Sequence, residues 1–405
     1  MSAVADLAAC DANVPVGWHE VTLGEIADVN PETLRVSTPA DYSFGYIDIS
    51  QIDGPGQCSG WTEQTFGEAP SRARRKVQAG DILVSTVRPY LRSFAQVPEA
   101  SLPLVASTGF AVVRAGMNAD QQFLYQHILH GSFIDHLTPR MTGSNYPAVS
   151  AGDVEAYPLH LPPLDEQRRI AEVLRSVDEA IAAQHATVDQ HIRLIDAVFE
   201  DWSNQPSPKS TLGELLDFKN GINFEKDERA DEGTLTLDVM NMFSVDMTPT
   251  YDGAYRINKP VPSELLLRSG DILFVRSSVK QEGIGWTSLA DGFGENTTFC
   301  GFIIRGRPKR DDVVSRYVVG VLRAPRFRRW LIQHSTRSAL TNINQKTIAS
   351  VEIPMPGRQQ QLALVDQYEL LADAATNSNA ALTTLEKLRA DLATDLLSGH
   401  VRVPA

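Results

Sequence analysis

Few groupings of residues in this sequence could do chemistry. His127, His130 and His136 fall close together and could hold a metal ion. Zinc-type sites, however, set histidine beside cysteine or carboxylate at fixed spacing, and this stretch reads as an amphipathic helix with neither at ligand spacing. Packing or surface histidines are expected there, and no metal. Cys10, Cys58 and Cys300 are scattered and odd in number, which gives no metal pair and no disulfide framework and fits a reducing cytoplasm. There is no Gly-Lys dipeptide, hence no phosphate-cradling loop, and no Gly-x-Gly-x-x-Gly turn. Pro162-Pro163 follows Leu161, not the Asn, Asp or Ser of an amino-methyltransferase loop. No serine sits in a nucleophile elbow. No catalytic residue is assigned.

Binding chemistry is better supplied. A DNA reader needs cations for phosphates, and amides, hydroxyls or guanidiniums for base edges. Arg72, Arg74, Arg75, Lys76, Arg88 and Arg92 surround one Gly-Asp step, and Arg140, Ser144, Asn145 and Tyr146 follow in a polar loop. Further along, Arg276, Ser278 and Lys280 follow a second Gly-Asp step, and Arg337, Ser338, Thr341, Asn342, Asn344 and Lys346 form a second polar loop. Polar loops can also be only loops, and Asn342 and Asn344 could equally be turn or N-cap residues.

The formal net charge of −13 argues against a simple basic module, but the charge is segregated. Residues 1–70 hold one base against eleven acids, whereas residues 305–346 hold eleven bases against two acids. A polyanion responds to the local field, so such stretches can bind it on an acidic protein. As a charge run alone, the basic stretch is equally a solvated face. The N-terminus carries Asp6 and Asp11 with no basic-apolar signal pattern, and no apolar run approaches bilayer length.

The elements that must position these loops come twice. Thr22-Leu23-Gly24-Glu25-Ile26 recurs as Thr211-Leu212-Gly213-Glu214-Leu215, Ile47-Asp48 as Leu237-Asp238, and Gly80-Asp81-Ile82-Leu83 as Gly270-Asp271-Ile272-Leu273. Gly109-Phe110 reads as Gly301-Phe302, and Leu161-Pro162 with Gln167 as Ile353-Pro354 with Gln359. Five collinear matches indicate a duplication. Each half opens with short β-like runs broken by Gly, Pro and Asp. A single helical stretch follows, over residues 121–137 or 313–333, then the polar loop and a proline-punctuated segment. A long helix ends each half. In the first, Ile170, Leu174, Ile181, Ile195, Phe199 and Trp202 recur at helical spacing; in the second, Leu362, Val365, Leu382, Leu385, Leu392 and Leu396 do. A helix with one apolar stripe needs a partner along its length, so the two are expected to pair antiparallel, with a globular unit at each end and an approximate two-fold axis.

The opening Trp18-x-x-Val21-x-Leu23-Gly24-Glu25-Ile26, the run Leu161-Pro162-Pro163-Leu164-Asp165-Glu166-Gln167-Arg168-Arg169-Ile170 and the closing Leu396-Leu397-Ser398-Gly399-His400-Val401-Arg402-Val403 resemble the DNA specificity subunit of type I restriction–modification systems over nearly the full length. The second copy departs, with Gly357-Arg358-Gln359 where the family keeps Glu-Gln. The resemblance implies an α/β fold class: two mixed α/β target-recognition domains separated by two long antiparallel helices. The expected boundaries are 1–164 and 207–356 for the domains, and 165–206 and 357–405 for the helices with the tail. It implies a non-catalytic chain that binds double-stranded DNA and docks two methyltransferase (modification) subunits. S-adenosylmethionine would sit on those subunits. ATP and Mg²⁺ would sit on restriction (motor-nuclease) subunits, leaving no cofactor on this chain. A fused methyltransferase lacks its motifs here; a protein-binding scaffold without DNA specificity is the remaining alternative.

Overall fold

The computed structural model describes residues 14–404 except Pro55, Val245, Ser338 and Ala339, with backbone alone at Asp53, Gly54, Gln57 and Arg337. Asp6, Cys10, Asp11 and Ser338, singled out above, lie outside the described residues. The chain divides into one unit of Met1–Ala183 with Leu382–Ala405 and a second of Gln184–Ala381.

The first unit holds an antiparallel sheet in the order Ala27–Val29, Phe110–Ala115, Ile82–Ser85, Phe94–Gln96. The second holds the same sheet as Leu216–Asn220, Ile303–Pro308, Asp271–Val275, Thr287–Ala290. The central strand follows the Gly-Asp step in both. Gly80 (φ +86°) and Gly270 (φ +91°) turn through the left-handed region, which a side chain would strain. The strand reads as a continuous apolar run because both its faces are covered. Ile82 and Val84 join the helices on one side while Leu83 joins a second cluster on the other; Ile272 and Phe274, against Leu273 and Val275, repeat the arrangement.

A second sheet flanks each first one, and each contains one parallel pair: Ser43–Ile47 with Leu104–Ser107, and Thr234–Leu237 with Thr297–Phe299. The expected single helix is two in each unit, Gln121–Leu129 then Gly131–Leu137, and Ser315–Arg323 then Pro325–Gln333. The break at Ala324 follows from Pro325, whose ring pushes the preceding residue out of the α region (ψ 139°). At His130 the backbone is extended and the imidazole caps the next helix by accepting the Ser132 N–H.

The long helices are Leu164–Ser203 and Arg358–Ser398. In the first unit, Asp178 of one accepts from Arg389 of the other at 2.9 Å, while Glu166 meets Arg402 beyond its end. In the second unit, Gln184 donates to the Ser378 carbonyl at 2.8 Å, and Phe199 and Trp202 pack on Tyr368. Within each unit the two helices therefore run antiparallel, as expected. Among the described residues no helix is long and apolar enough to cross a membrane.

Two of the five repeat matches are slipped. Thr86 N–H donates to the Gly109 carbonyl, and the equivalent Arg276 N–H donates to the Phe302 carbonyl, so Gly109 corresponds to Phe302, not Gly301. Gln167 accepts from Asp120 N–H and donates to the Asn118 and Pro162 carbonyls. Gln361, not Gln359, makes the same three bonds, with Val314, Asp312 and Pro356. Glu166-Gln167 therefore corresponds to Gln360-Gln361, so the second copy keeps the glutamine and changes only the glutamate.

Candidate nucleic-acid interface

Each unit carries the same hairpin-like loop beside the exit of the central strand. Thr142 and Ala148 bridge to each other and Ala148 bridges to Val87; Thr336 pairs with Asn342, and Asn342 with Ser277. The tip of the first loop is thus residues 143–147, and in the second the strands Thr336–Arg337 and Thr341–Asn342 flank the tip, to which Leu340 belongs.

In the first unit these elements bring three of the expected residues together, Arg88, Asn145 and Tyr146. Arg88 stands in the left-handed region (φ 50°, ψ 55°), and its N–H donates to the Pro147 carbonyl at 2.8 Å. Its guanidinium lies over the Tyr146 ring, 5.0 Å from the centroid, and Nη2 donates to the Asn145 carbonyl at 3.0 Å. Ser144, Asn145 and Tyr146 are exposed, Tyr146 by 72%. No carboxylate pairs with Arg88 among the described residues. Arg140 is exposed and donates to the His136 carbonyl.

Most of the other expected cations of this unit have partners within the protein, although Arg72 stays exposed and Lys76 half-exposed. Arg92, also left-handed, donates to the Leu129 carbonyl at a helix end. Arg72 donates to the Tyr46 hydroxyl and pairs with Asp48 at 2.6 Å, and these partners hold its guanidinium above the usual value. Lys76 pairs with Glu32 at 2.6 Å. Arg74 stacks on Phe66 at 4.8 Å, and Arg75 is half-buried, where burial pushes its guanidinium down.

In the second unit, Arg276 is half-buried and donates to the Gly301 carbonyl, and buried Ser278 donates to the Lys280 carbonyl at 2.6 Å. Thr341 is buried in its strand, and Asn342 accepts the Ser277 hydroxyl proton. Asn344 is an N-cap: its Oδ1 accepts from Thr347 N–H at 2.9 Å. Its side chain is engaged in the backbone of its own helix, the second role the sequence left open for it. Lys280 and Lys346 are exposed, and Arg337 lies in the strand Thr336–Arg337. Arg328 positions the loop after Lys280 by donating to the Glu282 and Ile284 carbonyls at 2.7 and 2.8 Å. Burial pushes the Arg328 guanidinium down to about 10. Beside Lys280 lies a cavity of about 680 Å³ lined by Met240, Val279, Phe302 and Leu340. Met240 (80% exposed) and Val279 (85%) escaped sequence reading because an apolar residue in an irregular segment has no periodicity to betray it.

The three histidines are packing residues. His127 is buried edge-on to Phe123, and burial pushes its imidazole down to about 3. His130 and His136 are half-buried. No group of three metal-ligating side chains occurs among the described residues.

Two equivalent loops on one framework, differing in their tips, are the decisive geometry, and a family model agrees: that of the type I restriction modification DNA specificity domain matches residues 15–192. Residues 15–192 are therefore similar to that domain. The type I restriction enzyme MjaVIII specificity subunit of Methanocaldococcus jannaschii is 21% identical over 326 residues, 74% of this chain and 75% of that protein. The HindI specificity subunit of Haemophilus influenzae is 21% identical over 227 residues, 53% of this chain and 46% of its own length. Among solved structures, a chain of a type I R-M system, studied for complex assembly and conformational transition, superposes with a TM-score of 0.66 at 24% identity, covering 96% of this chain and 99% of its own. The fold of this chain is the one seen there.

Proposed function

We propose that the chain is the DNA specificity subunit of a type I restriction–modification complex, reading a two-part DNA site with one unit for each part. One observation carries this: the same framework occurs twice, with its Asp81–Arg114 and Asp271–Arg307 pairs intact, while the loop tips at equivalent places differ. Arg88 and Tyr146 in one unit stand where Ser278 and Leu340 stand in the other. Shared framework with divergent tips is what two readers of different sequences require. The paired helices would set the unread spacer and dock two methyltransferase subunits. S-adenosylmethionine would be held by those subunits, and ATP and Mg²⁺ by restriction subunits, so that this chain positions chemistry done by others.

The test is random-sequence selection by the chain co-expressed with its methyltransferase subunit, across a salt series. Enrichment of a gapped, two-part motif is expected, with affinity falling as salt rises. A tight protein complex that enriches no sequence at any salt would leave a scaffold instead.

A further inference from the structure

We infer that Arg88 is a specificity-determining residue that reads a guanine in the half-site of the first unit, with Tyr146 as its positioning residue. The inference rests on the DNA-reading function proposed above and adds the base and the atoms.

Three observations converge. The guanidinium stands over an exposed aromatic ring, 5.0 Å from its centroid, and is tied by Nη2 to the Asn145 carbonyl, so its position is restrained before any partner arrives. Its charge meets no carboxylate among the described residues, whereas Arg72, Lys76 and Arg114 of the same unit are all paired. Its backbone holds a left-handed conformation unfavourable for any residue with a Cβ, at φ 50° and ψ 55°. Arg92, whose guanidinium is engaged by the Leu129 carbonyl, holds the same conformation, so the divergence between the units is what points to recognition: the second unit builds the equivalent loop with Ser278 and Leu340 in place of Arg88 and Tyr146. Arg88 Nε is buried, which leaves Nη1 and the second proton of Nη2 as the outward edge. Two parallel donors match O6 and N7 of guanine in the major groove, a pattern no other base offers. The strand register holds the two loops together: the Thr86 carbonyl accepts the Val149 N–H at 2.9 Å and Val87 bridges Ala148.

The experiment is random-sequence selection by the full chain in complex with its methyltransferase subunit, comparing wild type with Arg88→Gln, Arg88→Lys, Tyr146→Phe and Tyr146→Ala. Circular dichroism melting first establishes that each variant is folded. Arg88→Gln should abolish a guanine preference of roughly tenfold or more at one position and turn it towards adenine, whose N6 and N7 suit an amide. Arg88→Lys should weaken guanine preference at that position, Tyr146→Phe should keep it, and Tyr146→Ala should broaden that position alone. The second half-site should stay unchanged in every variant. A uniform loss of affinity with unchanged base preferences and a shallower salt slope would make Arg88 a phosphate contact and overturn the proposal. Wild-type complex that enriches no sequence would overturn the DNA-reading function and this proposal with it.

Discussion

Asp81 and Arg114 are joined by two parallel charge-assisted hydrogen bonds, Nε to Oδ1 at 2.8 Å and Nη2 to Oδ2 at 2.7 Å. Asp271 and Arg307 repeat the pair at 2.7 Å and 2.7 Å. Each aspartate is 1% exposed and also accepts a backbone N–H of its own turn, from Gln78 or Arg268. The Gly-Asp step is therefore more than a turn into a strand. It anchors the strand start to the neighbouring strand of the same sheet, in each unit separately.

Removing the Asp81 carboxylate should leave the part-buried Arg114 guanidinium with only the half-exposed Glu32 as a charge partner. Asp81→Ala is expected to cost about 3 kcal/mol, the low end for breaking a buried pair, because Arg114 is one-fifth exposed and keeps Glu32. Urea unfolding measures it, and a loss under about 1 kcal/mol would show the pair to be solvent-screened. Asp271→Ala should behave alike.

Gly320 lies in the helix Ser315–Arg323 against the Trp202 indole, where an added Cβ would stand 2.3 Å from Cζ3. Glycine to alanine inside a helix ordinarily stabilises by about 1 kcal/mol. Here the sign should reverse, with a net loss of about 1–3 kcal/mol from overpacking, because the indole is buried and stacked on Tyr317 at 5.6 Å. Thermal unfolding of Gly320→Ala and of Gly320→Ala with Trp202→Phe should show the second change relieving part of the first.

His127 gives the first unit a pH dependence. Burial pushes it down to about 3, against about 6.5 unfolded. Between those values the unfolded chain binds the extra proton, so stability is complete above pH 6.5 and falls as pH falls, by at most about 1.4 kcal/mol per pH unit for this group. His130 and His136 are pushed in the same direction by burial. A His127→Val variant, with the residue that the second unit carries at Val321, isolates the one group. Its unfolding free energy should decline less steeply than that of wild type between pH 7 and 5; parallel curves would place the His127 proton elsewhere.

Much of this architecture is legible in the sequence. Duplication, the central strands, the long helices and their pairing are written in apolar periodicity and repeated turn residues. What is not legible is register and occupancy. The repeat slips at Gly109 and Gln167 because short matches such as Gly-Phe and Leu-Pro recur by chance, whereas hydrogen-bond roles do not. The cations divide into free and engaged by long-range contacts: nothing local to Arg72 announces Asp48, and nothing in Arg92 announces the Leu129 carbonyl. Arg88 and Tyr146 are 58 positions apart, and only the bridge between Val87 and Ala148 unites them.

Asn344 and Asn145 should separate stability from recognition. Asn344 caps the helix Gln345–Ala349, so Asn344→Ala should cost about 1 kcal/mol in urea unfolding and leave the selected DNA motif unchanged. Asn145 is exposed at a loop tip, so Asn145→Ala should leave stability within about 0.5 kcal/mol, while its loss should alter the first half of the motif. The reverse pattern would exchange their roles.

Gln361 tests the register of the repeat directly. It is 1% exposed and satisfies three backbone groups, accepting from Val314 N–H at 2.9 Å and donating to the Asp312 and Pro356 carbonyls at 3.1 and 2.7 Å. Leucine there would fill similar space while leaving those groups unpaired, at about 1–3 kcal/mol for a single buried group. Gln361→Leu is thus expected to cost about 2–4 kcal/mol, as is Gln167→Leu in the first unit. Gln359 is exposed at the start of the same helix, so Gln359→Leu should stay within about 0.5 kcal/mol. If chemical unfolding instead ranked Gln359 above Gln361, the pairing of Gln167 with Gln359 would be restored and the shared hydrogen-bond role rejected.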